Sequence, residues 1–167
     1  MSSLIEKVVK TGLCARCGAC VAICPFGVLE MGEDGPELVR ECLRCGNCYL
    51  VCPRYRMDVS KVEELSLGRA RRPDEEFGVV RSILLARSKD PEVLAVCQDG
   101  GVVSTLVRHL LADGPALAVL SGLSEEEPWL PEAKIVVSPR EVLRCAGSRY
   151  TYTPNMLLHL GAAALLA

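Results

Sequence analysis

One feature constrains this chain more than any other: CARCGACVAICPF, Cys14 to Phe26, is repeated as CLRCGNCYLVCPR, Cys42 to Arg54. Each copy has the pattern C-x2-C-x2-C-x3-C-P, and every cysteine and proline of the second copy lies 28 residues after its counterpart. Gly18 and Gly46 obey the same shift. Three thiolates two residues apart can wrap a loop around three corners of a [4Fe-4S] cube, with a glycine letting the backbone approach and supply N–H donors to sulfur. The fourth ligand cannot come from the same loop. In a two-cluster arrangement it comes from the other copy. That predicts one cluster on Cys14, Cys17, Cys20 and Cys52, and a second on Cys42, Cys45, Cys48 and Cys24. Pro25 and Pro53 then turn the chain away. A pair of zinc sites is the competing reading, but zinc sites usually pair two CxxC units and have no need of the extra cysteines.

The rest of the composition sets the context. Eight of the ten cysteines precede residue 53, in a chain of 167 residues. The N-terminus MSSLIEKVVKTG lacks an apolar segment with a cleavage site, so a reducing, cytoplasmic setting is expected, where dense cysteine means metal. A net charge of −2 and few aromatic residues suggest no nucleic-acid partner. The arginines of GRARRP, Gly68 to Pro73, lie beside DEE and read as a solvated linker. No membrane span is expected, because no apolar run reaches the roughly 20 residues that one requires. Between the cysteine copies, VLEMGEDGPELV, Val28 to Val39, predicts a hairpin around Gly-Glu-Asp-Gly.

Beyond the cysteines the pattern changes. SKVEELSLG predicts a short helix before the linker. VVRSILLARS, Val79 to Ser88, is β-branched and apolar enough for a strand covered on both faces. In DGGVVSTLVRHLLADG, Asp99 is placed to cap a helix that Gly114 ends. ALAVLSG and KIVVS read as further strands. Ser138, Pro139 and Glu141 predict a capped helix to about Cys145, and Thr153 with Pro154 starts another. Strands alternating with helices argue an α/β layer. The fold class expected is thus an α+β ferredoxin-like two-cluster domain followed by a partial α/β domain: residues 1–58, a linker at 59–78, and residues 79–167. CQDGGVVS puts two glycines at a helix N-terminus, where a phosphate or a flavin carbonyl edge could sit, and is equally a plain helix start. AGSRYTYTPN, Ala146 to Asn155, is a polar loop or a second ligand segment. Cys97 and Cys145 read as buried small side chains rather than ligands, and His109 and His159 as ordinary packing or surface residues.

Residues 8 to 56 resemble the bacterial-type two-[4Fe-4S] ferredoxin domain. The whole chain, through CLRCGNCYLVCPR, ARSKDPEVLAVCQDGGVVSTLVRHLLADG and SPREVLRCAGSRYTYTPN, resembles the N-terminal part of the coenzyme F420 hydrogenase/dehydrogenase β-subunit family. That resemblance implies hydride exchange between the deazaflavin coenzyme F420 and FAD, and single-electron exchange between FAD and iron-sulfur clusters. It implies that Asp99, Gly100, Gly101, Ser104 and Thr105, with Gly147, Ser148, Arg149 and Tyr150, line the flavin region; no catalytic residue is assigned. Family members continue well past this length, so the apolar GAAALLA is expected to be covered by a second-half subunit or a redox partner protein. The other readings are a flavin-free electron-relay subunit that docks to a partner oxidoreductase, and a non-functional fragment.

Overall fold

The computed structural model describes residues 4–114 and 117–159. It is a mixed α/β molecule with two small antiparallel sheets of two strands each. The N-terminal part begins with a π-helical turn, Ile5–Val9, and continues through α1 (Ala19–Ala22), β1 (Leu29–Gly32), β2 (Gly35–Leu38) and α2 (Asn47–Val51). β1 and β2 pair from Leu29 with Leu38 to Gly32 with Gly35, so Glu33 and Asp34 form the tip, as the sequence predicts. The core here is small. Leu4, Val8, Val28 and Leu29 are buried together with Cys20, and Cys14, Cys24, Cys48 and Cys52 pack against them. The cysteines therefore occupy positions that aliphatic side chains would fill in an ordinary domain.

α3 (Val59–Leu67) starts where Asp58 accepts a hydrogen bond from the Lys61 amide and ends at left-handed Gly68. The arginines that follow are committed locally. Arg71 pairs with the buried Glu63, and Arg69 grips Glu75 with two hydrogen bonds of 2.7 and 2.6 Å. Arg72 also reaches Glu75, at 3.2 Å, so the run is no open basic patch.

Residues 79–90 correct the sequence reading, because they carry no regular secondary structure. Ile83, Leu84 and Leu85 are exposed, and nothing among the described residues pairs with them as a strand. A β-branched run becomes a strand only where a neighbour accepts its ladder, and propensity alone does not provide one. Instead the segment leads to α4 (Pro91–Val96), which Asp90 caps through the Glu92 amide, and then to α5 (Val102–Ala112). Arg108 of α5 reaches back to Asp90 at 2.9 Å and Glu92 at 3.0 Å, fixing one helix against the other.

β3 (Ala118–Leu123) and β4 (Pro131–Val136) form a second hairpin rather than strands separated by helices, so the expected α/β layer is replaced by a local antiparallel pair. α6 (Pro139–Arg144) carries the predicted capping box between Ser138 and Glu141. Its Val142 joins Leu111, Val136 and Cys145 in a second core. Residues 155–159 are helical, and the expectation for GAAALLA lies outside the described residues. No helix among the described residues is long and apolar enough to cross a membrane.

Candidate functional site

The two cysteine loops adopt the same backbone. Arg16 and Arg44 have φ of 49° and 57°, and Gly18 and Gly46 have φ of 81° and 89°. These left-handed turns point the amide of Arg16 at Cys14 Sγ, 3.3 Å away, and that of Arg44 at Cys42 Sγ, 3.4 Å away. Each glycine then opens a short helix, and each fourth cysteine accepts a turn bond at its carbonyl, from Gly27 at 3.2 Å and from Tyr55 at 3.1 Å. Positive φ is costly for arginine, whose Cβ crowds the backbone, so its use at both equivalent positions marks a loop shaped around sulfur.

Two cavities receive the thiols. One, of about 290 Å³, is lined by Cys24, Cys42, Cys45 and Cys48. The other, narrower at about 20 Å³, is lined by Cys14, Cys17, Cys20 and Cys52. The fourth cysteine of each copy thus faces the cavity of the other copy. Burial, followed by the neighbouring thiols of Cys17, Cys14, Cys52 and Cys48, pushes the Cys20 thiol up to about 12. Burial raises Cys48 as well, with help from Cys42. At Cys24, burial also acts to raise the pKa, but the backbone N–H groups of Val28, Phe26, Gly27 and Leu29 together outweigh it and hold the thiol below its usual range. A buried thiol such as Cys20 resists ionising unless a cation joins it, and metal binding would supply that charge. Among the described residues no three Cys, His, Asp or Glu side chains gather closely enough to hold a single metal ion. A cube of iron and sulfide carries its thiolates at separate corners.

A third cavity, about 480 Å³, lies between the second core and the turn before α5. Asp99, Gly100, Gly101 and Ser104 line it from one side, and Gly147 and Ser148 from the other. The amide side chain of Gln98 joins these two segments. It donates to Tyr150 Oη at 2.6 Å and accepts from the Ser148 amide at 3.1 Å. Sequence reasoning misses Gln98, because no local signal marks an isolated glutamine as a clamp. Cys97 and Cys145 also line the cleft, Cys145 buried as expected and Cys97 only partly so, its thiol 2.9 Å from the Asp99 carbonyl.

Other expected residues fall differently. Asp99 does not cap α5; Gly101 occupies that position with φ of 68°, because a Cβ there would come within 2.6 Å of Val93. A Cβ on Gly100 would meet the Ala86 carbonyl at 2.8 Å. Thr105 turns away from the cleft, its hydroxyl 2.7 Å from Ser88 Oγ and 2.9 Å from the Gly101 carbonyl. The Arg149 guanidinium donates to Ala146 O at 3.1 Å, while its Nε is buried without a hydrogen-bond partner among the described residues. A volume in the range of about 300–1,000 Å³, a lining of turn residues at Asp99–Gly101 and an unpartnered buried donor nearby fit a cofactor in kind.

Comparison with known proteins bears on both sites. Residues 13–57 match the family described as a 4Fe-4S dicluster domain, and residues 83–159 match the family described as coenzyme F420 hydrogenase/dehydrogenase, beta subunit N-term. The chain is 33% identical over 82 residues to the coenzyme F420 hydrogenase subunit beta of Methanothermobacter thermautotrophicus, covering 49% of this chain and 29% of that protein. It is 29% identical over 160 residues to a subunit of the F(420)H(2) dehydrogenase of Methanosarcina mazei, covering 92% and 43% respectively. With the coenzyme F420-dependent sulfite reductase of Methanocaldococcus jannaschii it shares 32% identity over 147 residues, 87% of this chain and 21% of that protein. A solved structure of the F420-reducing [NiFe] hydrogenase complex from Methanosarcina barkeri aligns with a TM-score of 0.40 and 30% identity, over 42% of this chain and 24% of that one. The chain spans less than half the length of these relatives. Residues 13–57 thus match a 4Fe-4S dicluster domain, and residues 83–159 are similar to the N-terminal part of the coenzyme F420 hydrogenase/dehydrogenase beta subunit.

Proposed function

We propose that this chain is the iron-sulfur electron-transfer component of a flavin-dependent oxidoreductase of the coenzyme F420 type. In this reading the ferredoxin-like part, residues 1–58, holds two [4Fe-4S] clusters, one on Cys14, Cys17, Cys20 and Cys52 and the other on Cys42, Cys45, Cys48 and Cys24. Residues 59–78 link it to residues 79–167, where the cleft takes FAD. When bound, FAD exchanges a hydride with the deazaflavin and single electrons with the clusters. The protein's own contribution is placement. Asp99, Gly100, Gly101 and Ser104 line the cleft, Gln98 ties its two walls, and apolar neighbours such as Leu4, Val8 and Phe26 limit water at the thiols.

The observation that carries the reading is the convergence of Gln98–Ser104 and Gly147–Ser148 on one cleft, in a chain whose cysteines face two cavities in sets of four. The flavin-free relay retains one specific support. Val93 and the Ala86 carbonyl account for Gly101 and Gly100 by packing alone, with no cofactor needed to explain them. A cofactor inventory on protein purified without oxygen separates the two. About eight iron per chain with near-stoichiometric FAD is expected. About eight iron with no FAD retained or rebound would establish the relay instead.

A further inference from the structure

The segment after α6 touches both the cleft and the first cysteine loop. At its start, Ser148 and Tyr150 are tied to Gln98 at the cleft wall. Farther on, Asn155 donates to Ser121 Oγ of β3 at 3.0 Å. At its end, the Met156 amide donates to the Cys17 carbonyl at 3.0 Å, and the Tyr152 ring lies under the Arg16 guanidinium, 5.2 Å from ring centre to carbon. Leu157 and Pro154 close over Gly18, where a Cβ would meet Leu157 at 2.7 Å. The equivalent site in the second copy is open. Among the described residues a Cβ on Gly46 would meet nothing within 4 Å, and Leu43, Arg44 and Cys45 are exposed.

We propose that residues 148–157 form a strap linking the cleft to the first cysteine loop, so that the Cys14–Cys17–Cys20–Cys52 site stands next to the cleft and the Cys24–Cys42–Cys45–Cys48 site faces outward. Tyr152 and Met156 are its positioning residues. The inference rests on the flavin reading of the cleft. It adds an order to the two cluster sites that their shared sequence pattern does not contain. Tyr152 acts through the face of its ring on a cation, so its hydroxyl is dispensable. Met156 acts through its amide, so its side chain is dispensable as well.

Hydrogen exchange on the cluster-loaded protein, with and without added FAD, tests this. FAD should slow exchange about tenfold at residues 98–104 and at 148–158, and carry the effect into residues 17–22 while leaving 45–51 unchanged. Tyr152→Ala should abolish the effect at 17–22 and preserve it at 98–104, and Tyr152→Phe should restore it. Protection confined to 98–104 and 146–150 would overturn the strap and leave the flavin reading standing. Equal protection of 17–22 and 45–51 would overturn the order of the sites. No protection anywhere, with no FAD retained, would defeat the flavin reading and the strap with it.

Discussion

The two cysteine copies share a backbone and differ in their surroundings. Both loops place an arginine and a glycine at positive φ and aim one amide at the first sulfur. Yet Gly18, Ala19 and Cys20 are buried, whereas Gly46, Asn47 and Cys48 are only partly so and Leu50 is exposed. Local geometry follows from the ligand spacing, and burial follows from what the rest of the chain lays over it. A duplicated motif can therefore yield two sites of different access.

The largest test of this comparison breaks the crossing itself. Cys52→Ala removes a side chain from the cavity of the first copy, although the residue belongs to the second. About four of about eight iron atoms should be lost. The electron paramagnetic resonance signal that survives should be the one abolished by Cys45→Ala. Survival of the signal abolished by Cys17→Ala would show that each copy keeps its own fourth ligand.

A smaller effect sharpens the difference in cover. Gly18→Ala and Gly46→Ala force alanine into the same left-handed conformation, costing each about 1–2 kcal/mol. Gly18→Ala must also displace Leu157, which adds about 1–3 kcal/mol of overpacking. Denaturant midpoints of the anaerobic proteins should thus fall further for Gly18→Ala, and equal shifts would mean that Leu157 yields freely.

The arginine pair should show the least. Arg16 lies over Tyr152 and donates to the Glu33 carbonyl at 3.0 Å, so Arg16→Ala should cost about 0.5–1 kcal/mol. Arg44 is exposed, and Arg44→Ala should stay within about 0.5 kcal/mol. A double-mutant cycle with Tyr152→Ala should find coupling for Arg16 and none for Arg44.

Much of this is legible in the sequence wherever the determining interaction is short. The cysteine spacing, the Glu33–Asp34 turn and the Ser138–Glu141 box each act within a few residues. The start of α4, in Asp90, Pro91 and Glu92, is equally local, although the sequence reading passed over it. What failed depended on distant partners. Residues 79–88 had the composition of a strand and no ladder to join. Asp99 had the chemistry of a cap, but the close approach of Val93 gave that position to Gly101. The Gly147–Ser148 turn was legible as a polar loop or a ligand segment, but its meeting with the turn at Asp99 depends on a glutamine 50 residues away and on the packing of α6 against α5.

That glutamine also bears on the order in which the molecule forms. The amide-to-sulfur bonds of the cysteine loops span two residues, whereas the bonds Gln98 makes to Ser148 and Tyr150 span 50 and 52. Closing a long stretch of chain costs entropy before any contact rewards it, and here the reward comes from the second core of Leu111, Val136, Val142 and Cys145 together with the two hydrogen bonds of Gln98. The cysteine loops can take shape early, on the ribosome's timescale, while the cleft waits for nearly the whole described chain.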